Sequence, residues 1–105
     1  MSPVERSMKH LRGAGWTVCV VERFNRFACV RQDAFGFGDL LAVRAGQIAL
    51  IQTTTASNMA ARRKKILSLD GYGAWKAGNG LCILHGWRAA KRGRRKVWEV
   101  REELL

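Results

Sequence analysis

Two adjoining segments with strand-like sequence, joined by a tight turn, constrain the fold of this chain most strongly. Residues 39–43 and 48–54 are rich in apolar and β-branched side chains, and residues 44–47 between them have hairpin-turn character. Each strand carries a polar group at one end, Asp39 in the first strand and Gln52 in the second. If the two groups lie on the same face, they approach each other near the end of a sheet.

The composition fits one folded domain over residues 1–105. That length allows a modest core, and 48% hydrophobic residues argue against disorder. The three cysteines show neither zinc spacing nor a paired framework, so we expect reduced, buried thiols.

A net charge of +11 indicates a polyanionic partner. Nucleic acid is the first candidate, because lysine and arginine neutralise phosphates. An anionic membrane surface is a weaker candidate, because no long amphipathic helix stands out. There is no apolar run of about 18 residues and no signal pattern, so we expect an intracellular, cytoplasmic protein that neither crosses nor binds a membrane.

The sequence predicts an α/β fold of order α-β-β-β-β-α-β-β, with a central mixed sheet flanked by helices. Ser2 caps a first helix that ends near Gly13. The other predicted elements are strands over 16–21 and 27–31, the two strands above, a helix over 57–67 capped by Ser57, and strands over 81–87 and 96–101. We expect a turn at 23–26, a helix break at 70–73 with a short turn at 74–77, and a basic loop at 89–95. The strand from Leu81 follows a helix and should run parallel to an inner strand.

Asp39 and Gln52 together offer one carboxylate and one amide oxygen. Mg²⁺ prefers oxygen ligands and keeps several waters, so this small set suits a hard cation. The alternative is structural: Gln52 satisfies a buried backbone group, and Asp39 caps the turn after Gly38.

These motifs and the element order resemble the core of the PD-(D/E)XK nuclease superfamily, the restriction-endonuclease-like and Holliday-junction-resolvase-like enzymes. Gly38-Asp39 stands where that family has Pro-Asp, and Gln52-Thr53-Thr54 stands where it has acid-X-Lys. The resemblance covers nearly the whole chain in element order, but the motif is short. Gln52 replaces the acid and Thr54 replaces the lysine.

The resemblance implies Mg²⁺- or Mn²⁺-dependent hydrolysis of phosphodiester bonds. Asp39, Gln52 and Thr54 occupy the implied catalytic positions, and Asp39 and Gln52 the metal-binding ones. Family members often add an acid from the first helix or strand, which favours Glu22 as a further ligand over Glu5, whose position suits a helix start.

Because Thr54 cannot supply a cation, Arg62 or Lys65 of the following helix is the implied catalytic replacement. The alternative is that both residues form a solvated or phosphate-binding face. Asp33 fits an Asx turn better than a ligand, and His85 fits a satisfied core or edge histidine better than a general base.

Basic residues in two segments are expected to contact phosphates. They are Arg62, Arg63, Lys64, Arg88, Lys91, Arg92, Arg94, Arg95 and Lys96. The family likeness also implies a homodimer and an origin in a phage or mobile element. Loss of the acid-X-Lys motif supports an alternative function, that of a catalytically inactive, regulatory nucleic-acid-binding module. A basic protein that binds an acidic protein partner is a third reading, without local support.

Overall fold

The computed structural model describes residues 1–105 and contains three α-helices and seven β-strands. In chain order they are α1 (Pro3–Gly13), β1 (Thr17–Val20), β2 (Arg23–Asn25), β3 (Val30–Gln32), β4 (Leu40–Arg44), β5 (Gln47–Thr55), α2 (Met59–Leu67), α3 (Asp70–Ala77), β6 (Leu81–Arg92) and β7 (Arg95–Leu104). Five strands form a mixed sheet of order β1-β4-β5-β6-β7, while β2 and β3 form a separate two-stranded hairpin. The predicted α/β class with a central mixed sheet is confirmed.

The sheet pairing follows the sequence pattern closely. Arg44 pairs with Gln47 across a two-residue turn, so β4 and β5 form the predicted hairpin. β6 then pairs with β5 in parallel, as expected for a strand that returns after a helical connection. No helix in the structure is both long and apolar enough to span a bilayer.

Alternation along the strands divides the core into two clusters on opposite sheet faces. On one face, Ala49 and Ile51 of β5 pack with Leu11 of α1. On the other face, Leu50 packs with Met59 and Ile66 of α2. The helices therefore flank the sheet on both sides.

The start of α1 forms as predicted. The Ser2 hydroxyl accepts a hydrogen bond of 3.2 Å from the Glu5 amide, and the Ser2 amide donates to the Glu5 carboxylate at 3.4 Å. This reciprocal capping box satisfies two amides that the helix cannot pair itself.

The prediction of a turn at 23–26 and a strand at 27–31 is wrong. The Asn25 carboxamide oxygen accepts hydrogen bonds from the amides of Phe27 and Ala28, which places the turn after Asn25. Residues 23–25 and 30–32 therefore pair with each other, outside the main sheet.

The predicted helix break and the predicted basic loop are also wrong. Residues 70–73 form the first turn of α3, and the missing side chain of Gly71 makes room there for Phe35: a Cβ at Gly71 would lie 2.1 Å from the Phe35 carbonyl oxygen. Residues 89–95 continue β6 and β7 into a hairpin whose turn uses the positive φ of Gly93. Ser57 lies in a 3-10 turn before α2, and Asn58 is the cap residue instead.

Candidate metal centre

Three carboxylates converge at one end of the central sheet. Asp39 immediately precedes β4, Glu22 joins β1 to β2, and Asp33 follows β3. One oxygen atom from each of the three carboxylates lies within 4.8 Å of those from the other two. The backbone explains this convergence, because the amides of Val21 and Glu22 both donate to the Asp39 carbonyl, at 3.0 and 3.3 Å. The β2–β3 hairpin then reverses the chain and returns Asp33 to the same place.

Asp39 is buried and held by β5. The Thr53 amide donates to Oδ2 of Asp39 at 2.9 Å, and the Thr53 hydroxyl lies 3.3 Å from the same oxygen. Both contacts use Oδ2, and the side chain of Asp33 lies against the same carboxyl group. The Asp39 amide donates to the carbonyl of Ile51 at 2.9 Å, which fixes the backbone of Asp39 against β5.

Asp39 itself forms no ion pair with a positively charged side chain. Burial raises the pKa of Asp39 to about 7, and the nearby carboxylates of Asp33 and Glu22 raise it further against the lowering effect of the Thr53 amide. At a pH near 7, a proton and a cation therefore compete for the Asp39 carboxylate.

Gln52 places a buried oxygen atom without a hydrogen-bond partner at the same end of the sheet. Its side chain is only 5% exposed, and its buried Oε1 accepts no hydrogen bond in the protein. Such an orphaned carbonyl oxygen costs on the order of 1–3 kcal/mol. The oxygen therefore does not serve a backbone group, as the structural alternative for Gln52 required. Carboxylates and an amide oxygen are the donor set that Mg²⁺ prefers.

These groups line one pocket of about 610 Å³ between the sheet end and the start of α1. Arg62 of α2 and Arg31 of β3 line it as well, and Arg31 lies 3.6 Å from the Glu22 carboxylate. Glu5 lines the pocket too, but its carboxylate accepts the capping bond from Ser2. The walls thus combine a carboxylate centre with two guanidinium groups.

The structure brings together four of the predicted site residues and separates two others. Asp39, Gln52, Glu22 and Arg62 share the pocket. Thr54 is buried and Lys65 is exposed, and neither lines it.

Two further residues belong to the site. For Asp33 the Asx turn was the preferred alternative to a ligand role, yet its side chain accepts no backbone hydrogen bond and joins the carboxylate cluster. Thr53 was given no role, although its backbone and hydroxyl both hold Asp39. Only the spacing of Asp33 from the following glycines could have drawn attention to it.

The basic residues expected to contact phosphates differ in whether they form ion pairs within the chain. Arg63 forms a two-pronged ion pair with Glu103, with its Nε 2.7 Å from the carboxylate, which lowers the pKa of Glu103. Arg88 and Arg92 both pair with Glu99. The remaining candidates form no ion pair within the chain and are exposed, apart from Arg62 in the pocket wall. They are Lys64, Lys91, Arg94, Arg95 and Lys96.

His85 lies away from the carboxylates, in a polar network against α1. Its Nδ1 lies 2.8 Å from the Ser7 hydroxyl, which also accepts from the Trp87 indole N–H at 2.8 Å. Its Nε2 lies 2.7 Å from the Glu102 carboxylate. Burial lowers the pKa of His85, and the ring does not line the carboxylate pocket. The interpretation as a satisfied core histidine accounts for all of these contacts.

The fold and site define a small α/β protein with a carboxylate pocket in a strongly basic chain. Comparisons with protein-family models, curated proteins and solved structures found no match.

Proposed function

We propose that this protein is a divalent-metal-dependent nuclease that hydrolyses phosphodiester bonds of DNA. One observation carries the proposal: the buried, unpaired oxygen of Gln52 lies in the same pocket as three clustered carboxylates. The pocket belongs to a chain of net charge +11, whose surface favours a polyanion.

The residues divide into distinct roles in this proposal. Asp39, through its carboxylate, and Gln52, through Oε1, would hold Mg²⁺ or Mn²⁺ together with Glu22 or Asp33. Such an ion, when bound, polarises a phosphoryl oxygen and lowers the pKa of water. Thr53 keeps Asp39 in place through Oδ2, so this carboxylate keeps its geometry whether or not it carries a proton.

Arg62 is the cation best positioned to face the phosphate. It lines the pocket, whereas Lys65 does not and Arg63 is paired with Glu103. A fixed guanidinium offsets the negative charge that develops on the phosphoryl oxygens, the role that the absent lysine of the motif would otherwise fill. The unpaired basic residues of the β6–β7 hairpin would hold more distant phosphates.

The central experiment compares D39N with D70N on plasmid and branched DNA in Mg²⁺ and Mn²⁺. Asp70 is an exposed aspartate in the first turn of α3, so D70N removes the same charge outside the pocket. We expect D39N to abolish cleavage and D70N to retain it. D39N should keep or increase DNA affinity, because it removes a negative charge near the phosphate.

A second measurement tests the metal without requiring turnover. Mg²⁺ should raise the melting temperature of the wild type and of D70N but not of D39N, since a ligand that binds only the native state stabilises it. If Mg²⁺ does not change the melting temperature of the wild type and the wild type cleaves no DNA, the proposed nuclease function is wrong. Salt-sensitive DNA binding without cleavage would then favour the inactive nucleic-acid-binding module, which the loss of acid-X-Lys also favours.

A further inference from the structure

The β2–β3 hairpin, residues 23–32, projects from the carboxylate pocket and is covered by nothing else in the chain. Its two strands pair only with each other. Every residue of these strands is exposed except Asn25, which is partly buried. An isolated two-stranded hairpin of this kind is marginally stable alone, so this element should gain order from a partner.

The tip of the hairpin presents aromatic rings to solvent. Phe27 is fully exposed and Phe24 is 60% exposed. The Asn25 side chain fixes the turn by accepting the amides of Phe27 and Ala28. A turn held in this way keeps Phe27 outward, although water is an unfavourable environment for its ring.

The charge of the hairpin selects the class of partner. Arg23 and Arg26 are exposed and form no ion pair, Arg31 pairs with Glu22 at the pocket, and no acidic residue occurs between residues 23 and 32. Arginines beside exposed aromatic rings match nucleic acid, in which the phosphates pair with guanidinium groups and the bases stack on rings. Bases inside an intact duplex already stack on each other, so an exposed phenylalanine gains most from an unpaired or unstacked base.

We propose that the β2–β3 hairpin is a substrate-reading arm, in which Phe27 stacks on an unpaired base beside the phosphodiester held in the carboxylate pocket. This inference rests on the proposed function and specifies its substrate as DNA with unpaired bases, such as a branch or a single strand. Both ends of the arm lie at pocket residues, Glu22 and Asp33. Five residues of extended chain span at most about 17 Å. Successive nucleotides of one stacked DNA strand lie about 3.4 Å apart. The stacked base therefore lies within about five nucleotides of the cleaved bond.

The test measures binding in the D39N background without divalent metal, so that cleavage does not interfere. The probes are a four-way DNA junction, a single strand, and a duplex of the same sequence. Variants F27A and F27L remove the aromatic ring, F27W retains one, and I48A is the matched control. Ile48 is exposed to 41% at the start of β5, at the opposite end of that strand from the pocket.

We expect F27A and F27L to weaken binding to the junction and the single strand about tenfold, within the range for loss of one base–aromatic stack. F27W should bind like the parent, and I48A should differ by less than about twofold. Duplex affinity should change little in all four variants. Equal junction binding by F27L and the parent, or an equal loss on duplex, would overturn the arm.

The outcomes of these experiments distinguish failure of the proposed arm from failure of the proposed nuclease function. If wild type cleaves DNA but F27L binds the junction normally, the arm is wrong and the nuclease stands. If junction binding depends on Phe27 but wild type never cleaves, the arm stands and the nuclease is wrong. If no DNA binds at all, both are wrong.

Discussion

Thr53 and Asp39 are joined twice, by a backbone amide at 2.9 Å and a hydroxyl at 3.3 Å, and both contacts reach Oδ2. The contact ties the residue after Gln52 to the residue before β4. It holds a buried carboxyl group whose pKa burial raises to about 7. Because the amide holds Asp39 in either protonation state, its charge can change without moving the pocket wall.

The raised pKa of Asp39 predicts how stability depends on pH without metal. The unfolded chain releases this proton near pH 4, whereas the native protein keeps it until about pH 7. The free energy of unfolding should therefore fall as pH rises from about 4 to about 7, by on the order of a few kcal/mol. Urea titrations in EDTA should show this decline in the wild type relative to D39N, in which position 39 no longer titrates.

His85 is present in both proteins, so its contribution cancels when the free energy of unfolding of D39N is subtracted from that of the wild type. That contribution has the opposite sign: because burial lowers the pKa of His85, the free energy of unfolding falls as pH falls below about 6.5. A constant difference between wild type and D39N from pH 4 to 8 would contradict the prediction. Mg²⁺ should stabilise the wild type more at pH 8 than at pH 6, because metal binding requires the deprotonated carboxylate.

Arg62 and Lys65 make a matched pair on one helix. Only Arg62 lines the pocket, so R62A should slow cleavage by about 10²–10³-fold, typical for loss of one transition-state donor. K65A should change the rate by less than about threefold. Single-turnover rates at saturating DNA measure the difference, and the reverse ranking would assign the missing lysine function to Lys65.

Ser7 supports two buried aromatic side chains at once. Replacing it with alanine leaves Nδ1 of His85 and the indole N–H of Trp87 without this partner. Each unsatisfied group costs on the order of 1–3 kcal/mol, so S7A should lower the free energy of unfolding by about 2–5 kcal/mol. The control S57A alters an exposed hydroxyl and should stay within about 0.5 kcal/mol in the same urea titration. Equal free energies of unfolding for S7A and S57A would contradict a stabilising role for the hydrogen bonds of Ser7.

Two glycines predict opposite effects of the same substitution. A Cβ at Gly86 of β6 would lie 2.1 Å from the Met59 sulfur and 3.0 Å from the Ala56 Cα, so G86A should push α2 away from the sheet. A Cβ at Gly73 of α3 meets nothing within 4 Å. Thermal melting should therefore show destabilisation of about 1–3 kcal/mol for G86A and stabilisation of about 0.5–1 kcal/mol for G73A. Stabilisation by G86A would contradict the close helix–sheet approach.

Features set by neighbouring residues could be predicted from sequence. The capping box of Ser2 and Glu5 and the turn between Arg44 and Gln47 depend on contacts three residues apart. The pairing of Asp39 with the Gln52 end of β5 followed from that turn, because a hairpin fixes its register.

Features that depend on contacts between residues far apart in the chain could not be predicted from sequence. Gly71 has a sequence typical of a helix break, but its role comes from Phe35, which lies far along the chain. Asp33 joins the carboxylates only because the β2–β3 hairpin brings residues 22 and 33 together, whereas the sequence pattern placed the turn at 23–26 and so did not pair these two residues. The unpaired oxygen of Gln52 is likewise a property of its completed surroundings.

The β2–β3 hairpin leaves the protein body at Glu22 and returns to it at Asp33, two residues whose carboxylates lie side by side. The ten residues between them, 23–32, pair with nothing in the main sheet. Another paired hairpin with the same register would return the chain from Glu22 to Asp33 in the same way. Under the proposed nuclease function, substrate preference would reside in the hairpin and catalytic chemistry in the carboxylate pocket, and grafting other hairpins between Glu22 and Asp33 would test that division.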